Sequence, residues 1–114
     1  MIEYKIISVP EDEGGIIKRR IVLPPNMKIL ETFLMAEDRR MISICLEDIN
    51  SVLGGTAEYI EDTGNIYSLH ITKTKTTLKD TLAQFLNETP PIEETELILE
   101  TSDLKNIMKI WLQE

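Results

Sequence analysis

Residues 96–112 read ELILETSDLKNIMKIWL, and a change of period inside this stretch decides the fold class. ELILE (96–100) is a short apolar run framed by acids, which predicts a strand. Ser102 then offers a helix cap, and Asp103 puts an anion in the first turn. Leu104, Ile107, Met108, Trp111 and Leu112 follow at i, i+3, i+4, i+7 and i+8, the apolar stripe of a helix. At that spacing Trp111 is predicted to be core. A strand running straight into an amphipathic helix gives two apolar faces, each of which has to be buried against another element.

Working outward, residues 56–61 and 66–72 flank Asp62-Thr63-Gly64-Asn65, a turn composition that predicts a hairpin. In its second strand Tyr67, Leu69 and Ile71 share one face while Ser68, His70 and Thr72 share the other, the pattern of a half-buried antiparallel strand. Tyr59 and Tyr67 then lie across the hairpin, either as a cross-strand pair or as an interface anchor on an open face. Thr77 with Asp80 three residues on resembles a capping box. It predicts a helix with Leu78, Leu82, Phe85 and Leu86 on its apolar face, ended by Pro90-Pro91.

Upstream, Leu46, Ile49 and Leu53 predict a short helix over 45–53, with Glu47 and Asp48 near its start and Gly54-Gly55 as its stop. Glu37-Asp38-Arg39-Arg40 reads as a charged link. Ile29, Leu30, Phe33 and Leu34 predict a helix over 27–36 behind the Pro24-Pro25-Asn26 break. Residues 2–9 and 16–23, joined by Glu11-Asp12-Glu13-Gly14-Gly15, predict a further hairpin. The expected architecture is α+β in a single domain, residues 1–114: an antiparallel or mixed sheet of about five strands with about four helices packed on it.

The chain has 114 residues, a length that suits one domain with its own core. Its net charge is −8, and residues 58–114 carry eleven acids against five bases. Such a field repels nucleic acid and anionic lipid and attracts basic partners. One cysteine rules out an intramolecular disulfide. Met1-Ile2-Glu3-Tyr4-Lys5 has no signal-peptide character, and no apolar run approaches the roughly 18 residues of a membrane span. The cytoplasm is the expected compartment.

Catalytic and metal chemistry find few candidates. His70 is a lone histidine on the polar face of a strand, without partners at metal-ligand spacing. Cys45 sits in an apolar run with Glu47 and Asp48 as its nearest charges, which disfavour a thiolate, so a buried structural cysteine is expected. Adjacent acids at 37–38, 47–48, 61–62 and 93–94 are expected to point into water. Gly14-Gly15 and Gly54-Gly55 lack the remaining residues of a phosphate cradle. Lys18-Arg19-Arg20 alternates on a strand and makes no flat basic face. No catalytic residue, metal or cofactor is expected, and a non-enzymatic protein follows.

The order of parts is then informative: a helix ending Leu53-Gly54-Gly55, a hairpin around Glu61-Asp62-Thr63-Gly64-Asn65-Ile66-Tyr67, and the closing helix Thr101-x-x-Leu104-x-x-Ile107-x-x-x-Trp111. Over residues 45–114 this resembles small bacterial immunity proteins of contact-dependent growth inhibition and other polymorphic toxin systems. The resemblance implies a cytoplasmic, non-enzymatic α+β protein that binds one cognate toxin domain, often a basic nuclease, and blocks its active site or substrate path. It carries over no binding residue. From charge alone, the candidate partner contacts are Glu58, Glu61, Asp62, Glu93, Glu94 and Glu96. The alternative reading is a non-catalytic subunit or adaptor that self-associates as a homo-oligomer.

Overall fold

The computed structural model describes residues 2–10, 17–63, 67–81 and 95–113. Strands β1 (Lys5–Pro10) and β2 (Ile17–Val22) pair antiparallel as a ribbon. A 3-10 turn at Pro25–Met27 leads into helix α1 (Lys28–Ala36), and α2 (Arg39–Leu53) follows. Strands β3 (Tyr59–Thr63), β4 (Tyr67–Thr72), β5 (Lys75–Asp80) and β6 (Glu96–Glu100) form a second, antiparallel sheet in the order β3-β4-β5-β6. Helix α3 (Thr101–Gln113) begins as β6 ends. The α+β class and the antiparallel pairing agree with expectation. The single sheet does not: the described residues form two sheets with six strands, and three α-helices rather than four.

The helices cover one face of the larger sheet. Helix α2 packs on β3, β4 and α3, while α1 packs on β5, β6 and β2. Ile71, Leu78 and Leu69 from the sheet meet Phe33, Ile42, Ile49, Leu104 and Met108 from the helices in one core cluster. Phe33 and Tyr67 make an edge-to-face contact there, with centroids 5.3 Å apart, a favoured geometry for two aromatic quadrupoles. The ribbon joins this core through Ile21, with Ile2 and Leu23 beside it. A hairpin signal in sequence fixes the partner strand but not the sheet it joins, which is why two sheets were read as one.

Three local corrections have physical causes. Helix α2 starts six residues before the predicted 45–53, because Asp38 caps it: the Asp38 carboxylate accepts from the Met41 amide at 2.8 Å. Only Glu37 and Asp38 are left as the link. Thr77 is no helix cap but the centre of β5, where Thr76 and Leu78 face the core and Lys75 and Thr77 face away. Two ladders, to β4 and β6, outweigh one capping bond. The rest of that predicted helix lies outside the described residues. Tyr59 and Tyr67 are not cross-strand partners either: Tyr59 stands opposite Thr72, and Tyr67 opposite Asp80.

Threonines fix the start of α3. Residues Thr72–Lys75 form a tight turn in which the Thr72 hydroxyl accepts from the Lys75 amide at 3.1 Å. The Thr101 amide donates to the Thr74 carbonyl at 3.1 Å. The Thr101 hydroxyl donates to the Thr72 carbonyl at 2.6 Å. Its single proton is then committed, so the buried Thr76 hydroxyl must be the donor of the 2.8 Å bond to Thr101. The Arg39 guanidinium also donates to the Leu112 carbonyl, tying the start of α2 to the end of α3.

Candidate partner-binding face

Alternation along the four strands leaves one sheet face on which no helix of the described residues packs. Strand register arranges its outward side chains in three rows. These are Tyr59-Thr72-Lys75-Glu100, Glu61-His70-Thr77-Ile98 and Thr63-Ser68-Lys79-Glu96. Tyr59 is 58% exposed and Ile98 60%, more than any other large hydrophobic among the described residues. Singly exposed apolar residues are ordinary on a protein surface; these two stand on the same sheet face, on its two outer strands.

Charges on this face are organised in pairs. Glu96 lies 4.0 Å from the Lys79 ammonium and Glu100 3.9 Å from that of Lys75. Both pairs are long and solvated, so each contributes well under 1 kcal/mol. On β3, Glu61 Oε1 lies 3.1 Å from Nδ1 of His70. The His70 ring in turn stacks on Tyr59, with centroids 5.6 Å apart and planes 27° from parallel. Between these rows is a shallow cleft of about 190 Å³ lined by Glu61, Thr63, Ser68, His70, Thr77 and Lys79.

The six acidic candidates fare differently. Glu61 and Glu96 stand on the open face, and Glu58 is exposed immediately before β3. Asp62 points the opposite way, toward α2, where its carboxylate accepts from the Cys45 thiol at 3.5 Å. Glu93 and Glu94 lie outside the described residues. Ile98, Glu100, Lys75 and Lys79 were not singled out in sequence. The signal was present in the alternation of Lys75-Thr76-Thr77-Leu78-Lys79, but the Thr77/Asp80 capping pattern masked it.

Behind β3, Asp62 also shapes two other groups. Burial and the Asp62 carboxylate push the Cys45 thiol well above the usual thiol range, so it stays protonated and unreactive. A hydrogen bond with Asp62, partial burial and the charges of Asp62 and Glu47 raise Asp48 to about 6. Burial, with Asp80 and Glu37 nearby, raises the Tyr67 phenol to about 12. Among the described residues no group of three His, Cys, Asp or Glu side chains is placed to hold a metal ion, and no helix is long and apolar enough to cross a membrane.

The chain is 44% identical over 62 residues to an immunity protein of Bacillus cereus. The match covers 54% of this chain and 53% of the relative, so the chain spans about half the length of the curated relative it matches. No family model matches the chain, and no solved structure matches it. The likeness to bacterial immunity proteins is thus met by a curated relative of that name.

Proposed function

We propose that the chain is an immunity protein: a bacterial, non-catalytic, single-domain binder that works in the cytoplasm and neutralises one cognate toxin domain. The observation that carries this reading is the 44% identity to the Bacillus cereus immunity protein. Charge refines the partner. A net charge of −8 speeds encounter with a basic protein and slows approach to nucleic acid. A nuclease domain of a contact-dependent or related toxin has that basic character, since it must itself bind a polyanion. Neutralisation then follows from occupancy: a bound acidic domain excludes the substrate and repels it from the rim.

The test is affinity capture of the tagged full chain from its host's lysate, washed first at low and then at high salt, with the bound proteins weighed. One basic toxin domain, retained near one-to-one through the first wash, is expected. Recovery of the bait alone, as a stable oligomer, would replace this reading with that of a self-associating subunit.

A further inference from the structure

We propose that the corner of the open sheet face formed by Tyr59 and Glu61 receives an arginine or lysine side chain of a basic protein, with Ile98 as the apolar anchor across the sheet. This rests on the reading of the chain as an immunity protein and names the surface and chemistry by which it binds.

Three observations converge on that corner. Tyr59 stacks through one ring face on His70 yet remains 58% exposed, so its other face is open to a cation. Glu61 stands two residues along the same strand face, its side chain 71% exposed. The basic neighbour of Glu61 among the described residues is His70, at 3.1 Å, an imidazole that carries charge only when protonated. The lysines of the face lie toward the other side, Lys75 3.9 Å from Glu100 and Lys79 4.0 Å from Glu96 on β6. The β3 side therefore offers an aromatic face and a carboxylate with no fixed positive charge beside them, and Glu58 adds a further exposed acid at its edge.

A guanidinium fits this arrangement better than an ammonium, because it is planar enough to stack on the ring and forked enough to pair with the carboxylate. Ile98 lies in the same row as Glu61, three strands away, a distance of about 14 Å at normal strand spacing. That spread suits the small central cluster that dominates the energy of a larger interface. Each copy of this chain carries a net charge of −8, so two copies repel one another, which favours a basic partner over self-association.

The test is calorimetric titration of the full chain with the basic domain that affinity capture recovers, silenced by substitution of its catalytic residue. Tyr59→Ala and Glu61→Lys are expected to weaken binding by about tenfold or more each, and Ile98→Ala by about fivefold. An Ile7→Ser/Val22→Ser variant on the distant ribbon should stay within about twofold of wild type. All five positions are exposed, and thermal melts will show that each variant keeps its fold. If the wild-type chain binds but the face variants bind equally well, the surface assignment is wrong and the immunity reading stands. If the wild-type chain does not bind, the immunity reading falls and takes this proposal with it. A chain that sediments as a dimer, and as a monomer after Tyr59→Ala, would overturn the proposal in favour of a second copy.

Discussion

Glu31 is an acid at a buried position of α1, only 8% exposed, and its surroundings explain why it is tolerated there. Burial opposes its ionisation, but the Leu23 amide at 3.0 Å, the Lys28 ammonium at 3.2 Å and the charge of Arg20 together hold its pKa below the ordinary 4.5. Glu31→Ala leaves a buried amide without a partner and is expected to cost about 1–3 kcal/mol in urea unfolding. Asp48 is the opposite case. Its pKa rises from 3.8 to about 6, so the folded state holds the proton more tightly than the unfolded chain does. The stabilisation is complete below pH 3.8 and is lost as pH rises through about 6. Asp48→Asn, whose amide donates to Asp62 at every pH, is expected to stabilise the fold by about 1 kcal/mol at pH 7.5, after allowance for solvent screening. It should have little effect at pH 4. Unfolding midpoints at the two pH values check this, and equal shifts at both would contradict it.

At the scale of elements, caps and turns set the boundaries. Gly54 caps α2, and Gly55 follows with φ +84°. The Gly55 amide donates to the Val52 carbonyl at 3.2 Å and the Thr56 amide to the Ser51 carbonyl at 2.9 Å, the double closure of a Schellman turn. A Cβ at Gly55 meets no atom within 4 Å, so the cost of Gly55→Ala is backbone strain alone, about 1 kcal/mol in thermal or chemical unfolding. Asp38→Ala removes the other cap of α2 and is expected to cost a similar amount, about 1 kcal/mol. These elements also show what was legible in the sequence. Long periodic signals were read well: α1, α3 and the inward face of β4 lie where the apolar spacing put them. The glycine stop of α2 was also legible, because only glycine adopts that turn cheaply. The start of α2 is not, because Arg39, Arg40 and Met41 lack a full apolar stripe and Asp38 stands in a run of four charged residues. Strand β5 was missed because its threonines carry both strand propensity and capping ability, and only the neighbouring ladders decide between them. Half of the candidate face was missed with it, since charge counting found Glu61 and Glu96 but could not see that Asp62 faces inward.

At the scale of the whole molecule, charge and shape act together. The helices among the described residues all pack on one face of the larger sheet, while most of the net charge sits in the half of the sequence that builds that sheet. An acidic binder of this kind should associate fast at low salt and more slowly as salt screens it. Reversing Glu58, Glu61 and Glu96 to lysine together is expected to lower the association rate with a basic toxin domain by about tenfold at low ionic strength, with the difference shrinking at high salt. Stopped-flow mixing measures both. Neutralisation of a toxin, as proposed, is read out by bacterial growth. Bacterial cells induced to make the basic domain captured with this chain should stop growing, and cells that also make this chain should grow as uninduced cells do. Growth arrest that persists when the chain is present, folded and in excess would contradict the claim.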